Sequence, residues 1–322
     1  MHTDNTKDYI YNVMPDINEH LEQLSVPIYD RYLQASHIFV DAFVLDSTFS
    51  SKKNIVKSNE FHEYIIPIFH DWYHENYGTL AKNPKNFNFK GLIIVHKQPV
   101  IITFPSTISI PEEEGKTSWM KYPDHLDNSE NIQNMFVERV IDLNILSGSQ
   151  RTKVQNQIED VVSKIRSIAI NFKGLSLDDK TERMARTVIT DFEKAAVDIA
   201  SHYTEQGLTA CWHIQQAIEK TFKVFLKQQQ DYFEETHILR NLYNSAIDVN
   251  RVGFDGIDSK LIDSCLKNTI DLRYAQELLP LSQSIDFYKK ALKIVLAVSE
   301  KFERDIQFKN ASFLLKKAPW AK

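Results

Sequence analysis

The stretch that decides the fold of this chain is residues 211–226, CWHIQQAIEKTFKVFL. Its apolar residues recur every three or four positions, at Cys211, Ile214, Ile218, Phe222 and Phe225. That spacing is typical of one face of an amphipathic α-helix. His213 and the adjacent Gln215 and Gln216 stand beside the apolar face, where they are unusual. The segment therefore predicts a helix whose buried face is bordered by polar side chains.

Two further motifs follow this helix along the chain. The sequence THIL occupies residues 236–239, and RY occupies residues 273–274. Together with QQAIEK at 215–220, they resemble the Q-Q-A-x-E-K, T-H-x-L and R-Y-P elements of the HEPN domain family. The resemblance covers residues 183–304 and implies a small helical bundle, with its fourth helix over 260–272.

The resemblance implies a module that binds a nucleotide, an RNA or a protein partner, in a bacterial defence or toxin–antitoxin setting. The residues that could donate hydrogen bonds to such a ligand are His213, Gln216, Lys220, His237, Arg240 and Arg273, with Lys223 as an addition. We expect their side chains to gather around a single cleft. The alternative is a structural role, in which Gln215 and Gln216 hydrogen-bond between helices and Arg273 pairs with Glu219 or Asp271.

A metal-independent ribonuclease is the second function that the resemblance implies. Many HEPN ribonucleases carry an arginine followed four to six residues later by a histidine. No arginine in 183–304 has a histidine at that distance, and His237 precedes Arg240 instead. The one matching pair, Arg31 and His37, lies outside the bundle. Ribonuclease activity would therefore need a composite site.

Composition favours a mainly α protein. The 322 residues are 43% hydrophobic and include only 8 glycines, and no proline lies between Pro123 and Pro280. So few helix breakers over that span indicate helices. The formal net charge of −5 carries no basic signature of bulk nucleic-acid binding.

We expect four parts along the chain. An N-terminal α+β domain with a small β-hairpin would occupy residues 1–150, and a helical connector 151–182. The HEPN-like bundle would follow over 183–304, and a tail over 305–322.

Prolines and a glycine indicate where the N-terminal helices begin and end. Pro15 is expected to open the first helix and Pro27 the second. A third helix is expected from near Pro67 to Gly78.

The β signal lies between this third helix and the connector. Residues 87–95 and 100–104 are rich in β-branched residues and predict a hairpin. Residues 105–130 carry prolines, a glycine and an acidic run, and we interpret them as a long loop.

A heptad-like apolar seam runs through the connector. Its members are Val154, Ile158, Val161, Ile165, Ile168 and Phe172. The seam predicts either packing within the chain or a homodimeric scaffold. Gly174 is expected to end this helix, and Ser284 is expected to cap the last helix of the bundle.

The sequence indicates no metal and no cofactor. His70 and His74 share a helix face as in zinc peptidases, but Asp71 replaces the family's glutamate and no third ligand follows at the expected spacing. Cys211 and Cys265 are expected to be buried thiols. Because we find neither a signal-peptide core nor a long apolar run, we expect a cytoplasmic protein without a membrane span.

Overall fold

The computed structural model describes residues 5–82, 88–136, 141–201, 204–265 and 279–316. These residues fall into two compact units. One is drawn from Met1–Asn86, Pro111–Ser118 and Leu315–Lys322, and the other from Phe87–Ile110 and Trp119–Leu314. Helices dominate, so the mainly α class with a small β-hairpin is confirmed. No helix among the described residues is both long and apolar enough to cross a bilayer.

The first unit is built from three helices, α1 (Asn5–Gln23), α2 (Ile28–Phe43) and α3 (Ile66–Tyr77). Their apolar faces form one core that includes Ile10, Met14, Ile17, Leu21, Phe39, Phe69 and Tyr73. Pro27 is the N-cap of α2, and Gly78 is the C-cap of α3 with a φ of 53°, as the sequence predicts.

Pro15 does not open the first helix. It lies inside α1, which begins ten residues earlier at Asn5. The helix extends backwards because Ile10 and Met14 are both fully buried and continue its apolar face. Packing of that face outweighs the single backbone hydrogen bond that the proline removes.

The second unit begins with the predicted hairpin. Strand β1 (Asn88–Val95) pairs antiparallel with β2 (Gln98–Pro105), and Val95 lies opposite Gln98. A two-residue turn, His96 and Lys97, therefore joins them, and both residues have a positive φ, of 50° and 67°. The hairpin shares its core with the bundle, so the N-terminal domain does not extend to residue 150 as expected. The sequence could not show this, because β1 is buried by helices that lie far along the chain.

Helix α4 (Gly148–Asn171) carries the apolar seam, whose residues pack in the core of the second unit. Ser147 and Gln150 form a capping box at its start, and Gly174 follows its end with a φ of 70°. A Cβ atom on Gly91 of β1 would lie 2.6 Å from Cγ1 of Val161, so the missing side chain lets strand and helix approach closely. Because five of the six seam residues are buried within one chain, the seam presents no free face for the predicted homodimer.

The bundle is formed by α5 (Asp179–Ala200), α6 (Thr204–Gln230), α7 (Leu239–Val249), the short α8 (Ser259–Asp263) and α9 (Leu281–Ser299). Helix α6 is central, because its side chains pack against α5, α7 and α9. Most of the predicted fourth helix and the RY motif at 273–274 lie outside the described residues.

Ser284 does not cap the last helix. Helix α9 begins three residues earlier, after Pro280, and Ser284 lies buried inside it. Its Oγ lies 3.4 Å from Sγ of Cys211 on α6, so the hydroxyl is part of the helix interface. Proline is itself a strong start signal, and here it acts earlier than the serine.

Residues 105–130 are not a long loop. They contain β3 (Ile108–Glu113) and β4 (Thr117–Lys121), which join β5 (Ser312–Lys316) in a sheet of order β3-β4-β5. The third strand comes almost two hundred residues later, so no local pattern announces the pairing.

Candidate functional site

Helix α6 places its polar side chains on two faces. Residues 213 and 220 are two turns apart and share the face toward α5, whereas 215, 219 and 223 follow at intervals of four on another face. The predicted single cleft is therefore divided into two clusters. Spacing on a helix predicts which residues align, but their neighbours decide which cluster each one joins.

The first set, which we call the Asp191 cluster, comprises Asp191 and Asp198 of α5 with His213 and Lys220 of α6. Lys220 Nζ donates to Oδ2 of Asp191 at 2.6 Å. His213 lies between the two carboxylates, at 3.8 Å from Asp191 and 3.9 Å from Asp198, and its buried Nδ1 has no hydrogen-bond partner. Burial raises the pKa of the Asp198 carboxyl, and the charge of His213 opposes that shift.

The second set, the His237 cluster, comprises Gln215, Glu219 and Lys223 of α6 with His237, which precedes α7. The carboxylate of Glu219 lies 3.0 and 3.1 Å from Nδ1 of His237 and accepts a hydrogen bond from Lys223 Nζ at 2.8 Å. Gln215 Nε2 donates to the carbonyl oxygen of His237 at 2.9 Å. The ring and the backbone of His237 are thus both held by α6.

Exposure differs sharply within the His237 cluster. The side chains of Glu219 and Lys223 are only 5% and 7% exposed, whereas that of His237 is 61% exposed. A buried ion pair thus supports a solvent-facing imidazole. With Nδ1 directed at a carboxylate, Nε2 is the ring nitrogen that an external group can meet.

The remaining predicted residues join neither cluster. Arg240 of α7 donates to the carbonyl oxygen of Ser259 and pairs with Asp263 of α8 at 3.1 Å. Gln216 is half-buried on α6, and its side chain makes no hydrogen bond with a described residue. Arg273 lies outside the described residues. The expected grouping of all six side chains is therefore not what the described part of the bundle presents.

The sequence did not indicate Asp191 and Asp198 as members of the site. They lie on α5, 15 to 29 residues before their partners, and isolated acidic residues on a helix are usually solvated. A weak signal exists, since Asp191 falls beside Phe192 on the apolar face of its helix and is 5% exposed. Every described cation of the two clusters faces at least one carboxylate, so neither cluster has the excess positive charge that phosphate binding favours.

Arg31 and His37 lie in the first unit, where the side chain of Arg31 is held by internal hydrogen bonds. The guanidinium of Arg31 donates to the carbonyl oxygen of Val26 at 2.7 Å and to Oδ1 of Asn18 at 3.0 Å, inside the first unit. His37 is exposed, and its ring lies 5.9 Å from that of Phe61. Because Arg31 is committed to internal acceptors, this pair does not supply the missing ribonuclease motif.

The histidines of the HDWYH segment pack with aromatic rings. The rings of His70 and His74 lie 4.4 Å apart, and Tyr32 meets His70 edge-on at 5.5 Å. In the described part of the chain, no group of three or more His, Cys, Asp or Glu side chains is arranged to hold a metal ion.

Likeness to known proteins offers no further guide to function. A comparison of the chain with protein-family models, with curated proteins and with solved structures finds no match. Function is therefore inferred from the side chains and their geometry.

Proposed function

We propose that this chain is a HEPN-type binding module that recognises a nucleotide or an RNA through the His237 cluster. Two observations support the proposal. The motifs at 215–220 and 236–239 resemble the family, and they contribute Glu219 and His237 to one cluster. The exposed and anchored ring of His237 is the single observation that carries the proposal.

An anchored, exposed imidazole suits a nucleobase or a ribose. Its face can stack on a base, and Nε2 can form a hydrogen bond with a base edge or a ribose hydroxyl. Because Glu219 and Gln215 already hold His237 in place, little side-chain entropy is lost when a ligand binds.

The charge of the cluster predicts how binding responds to salt. Lys223 pairs with Glu219, and Glu235 lies 4.0 Å from the same ammonium group, so the cluster carries no surplus positive charge. Phosphate contacts would then contribute little at this site. We expect an affinity that changes only weakly with salt concentration, unlike binding that depends on neutralised phosphates.

Titration calorimetry with ATP, GTP and short single-stranded RNAs tests the proposal. We expect His237→Ala to weaken binding about tenfold or more, because the contacting ring is lost. The matched control is His20→Ala, which removes an exposed histidine from α1 in the other unit. Equal affinity of wild type and His237→Ala for every one of these probes, or no binding of any probe, would refute the nucleotide–RNA proposal and leave a protein partner as the next ligand to test.

A ribonuclease is a second candidate, and the pairing of Glu219 with His237 is the observation that favours it. A carboxylate on Nδ1 orients the ring so that Nε2 can take or give a proton, the arrangement of many general acid–base histidines. Incubation of labelled RNA with the protein in the presence of a chelator tests this candidate. Cleavage that both His237→Ala and Glu219→Gln abolish would support it. RNA that stays intact, or cleavage that survives in both variants, would rule it out.

A further inference from the structure

We propose that a groove between α4, α9 and the hairpin turn is a second ligand site, which binds an organic oligophosphate such as a nucleoside triphosphate. The groove consists of two adjoining cavities of about 570 and about 500 Å³, which share Lys153, Gln157 and Lys289. Each volume lies within the range of about 300–1,000 Å³ that is typical of small-molecule sites. The inference is independent of the proposed function, because it uses no residue of α6.

The charge of this groove differs from that of the α6 clusters. Lys97, Lys153 and Lys289 line it, and none of the three forms an ion pair with a described residue. The fourth lysine, Lys164, is paired with Asp160 at 2.6 Å. Three unpaired ammonium groups in one concave surface create a positive potential in a chain whose net charge is −5.

Helix dipoles add to this potential. Both α4 and α9 begin at the groove, and Gln150 and Ser282 in their first turns line it. Helix N-termini carry partial positive charge and free backbone N–H groups, which favour phosphate oxygens. The cavities, the lysines and the two helix ends all select for the same ligand charge.

The floor of the groove is aliphatic, so it favours a ligand that carries an apolar group as well as phosphates. It includes Ile94, Val154, Leu92, Val161, Ile285 and Leu292. Such a floor can cover one face of a flat apolar group, while the lysines at the rim hold the charged part. No Phe, Tyr or Trp side chain lines the described part of the groove, and His96 at its mouth is a single ring, so the row of aromatic rings on which single-stranded nucleic acids stack successive bases is missing there. We therefore infer a mononucleotide-sized ligand rather than a polynucleotide.

The turn of the hairpin presents His96 and Lys97 to the groove in a strained backbone conformation. His96 and Lys97 occupy a two-residue turn in which both have a positive φ, a position that asparagine and glycine usually fill. Side chains with a Cβ atom are strained there, because the Cβ lies too close to the following carbonyl oxygen. Both side chains lie at the mouth of the groove, where the smaller and less strained Asn-Gly pair would present no ammonium group.

The test is titration of the full chain with ATP, adenosine, inorganic tripolyphosphate and a short single-stranded RNA. We expect ATP to bind, and to bind more tightly than either adenosine or tripolyphosphate. The double variant Lys153→Ala with Lys289→Ala is expected to weaken ATP binding about tenfold or more, because two phosphate contacts are lost. The control Lys53→Ala with Lys180→Ala removes two exposed lysines elsewhere, with the same change in net charge, and should leave the affinity unchanged.

Each of the other outcomes overturns the proposal. They are absence of ATP binding, equal weakening in both double variants, tripolyphosphate binding as tightly as ATP, and RNA binding in preference to ATP. The site is separable from the α6 site, because His237→Ala should leave ATP binding at the groove intact. Loss of ATP binding in His237→Ala alone would assign the nucleotide to α6 instead.

Discussion

Nδ1 of His237 lies 3.0 Å from Oε1 of Glu219, although the two residues belong to different segments of the bundle. Lys223 donates to the same carboxylate, and both members of this ion pair are buried. Glu219 thus has two roles. It neutralises Lys223 in the interior, and it orients the solvent-facing ring of His237. Stability and ligand contact should therefore respond differently to substitution.

The first prediction separates these two roles. Glu219→Ala leaves the buried ammonium group of Lys223 with only the exposed carboxylate of Glu235, at 4.0 Å, so we expect a loss of about 3–5 kcal/mol in the free energy of unfolding. His237→Ala removes an exposed ring and should stay within about 0.5 kcal/mol of wild type. Urea unfolding measures both. Replacing Glu219 and Lys223 together by Leu and Met should recover most of the loss, and a Glu219→Ala variant as stable as wild type would contradict this account.

The second prediction concerns Arg166, the largest fully buried side chain of the chain's described part. Its guanidinium makes two 2.7 Å contacts with the carboxylate of Glu130 and also donates to the carbonyl oxygens of Pro105 and His125. We expect Arg166→Leu to cost about 3–5 kcal/mol, because Glu130 would be left buried without its cation. The matched control is Arg186→Leu, whose ion pair with a glutamate is solvent-exposed and should contribute less than about 1 kcal/mol. Equal effects in the two variants would show that burial is not the cause.

The third prediction tests the close approach of β1 to α4. In Gly91→Ala the new methyl group would lie 2.6 Å from Cγ1 of Val161, so we expect a loss of about 1–3 kcal/mol from overpacking. Adding Val161→Ala should return part of that stability, since the clash is removed. Gly148→Ala, at a position with no atom within 4 Å of the new Cβ, is the control and should have little effect. Thermal or urea unfolding of the four proteins decides the outcome.

The fourth prediction concerns thiol reactivity. Burial raises the pKa of Cys211 to about 11 and that of Cys265 to about 12, so almost no thiolate forms near neutral pH. We expect neither thiol to react with an aromatic disulfide reagent in the folded protein, and both to react after unfolding in denaturant. One rapidly reacting thiol per folded chain would show that a cysteine is more accessible than the structure places it.

The fifth prediction is a pH dependence. Burial raises the pKa of Glu193 above its ordinary value, although its Oε1 accepts a hydrogen bond from the Lys90 N–H at 3.2 Å. A raised folded-state pKa means that the folded protein holds this proton more tightly than the unfolded chain. The stability that this group contributes is therefore present at low pH and is lost as the pH rises through the folded pKa.

Glu193→Gln keeps the accepting oxygen and removes the charge. We expect the variant to gain stability over wild type at neutral pH, and the gain to disappear below the ordinary pKa of 4.5. Urea unfolding at a series of pH values measures the difference. A gain of the same size at every pH would exclude ionisation of Glu193 as its source.

Local patterns in the sequence predicted the helices and the hairpin well. The apolar periodicity of 211–226 lies within α6, and β-branched residues coincide with β1 and β2. Start signals were less reliable. Pro15 lies inside α1 because the buried Ile10 and Met14 before it extend the apolar face, and Ser284 lies inside α9 because that helix already begins after Pro280. The start of α1 thus depends on tertiary packing that no local signal contains, whereas that of α9 follows a different local signal from the one predicted.

The candidate site was harder to predict than the fold. Periodicity placed Glu219 and His213 on α6, but only packing shows that they face different neighbours. The basic groove left no signal at all, because Lys97, Lys153 and Lys289 are brought together from three distant segments. The pairing of β4 with β5 was not predicted for the same reason, because the two strands lie far apart in the sequence.

NMR spectroscopy of the histidine ring nitrogens, before and after addition of ATP, GTP and short RNA, shows directly whether His237 contacts a ligand. We expect His237 to adopt one tautomer, with its proton on Nδ1 toward Glu219, and its Nε2 resonance to shift when a probe binds. A His237 ring whose resonances stay unchanged while every probe is added would contradict this expectation.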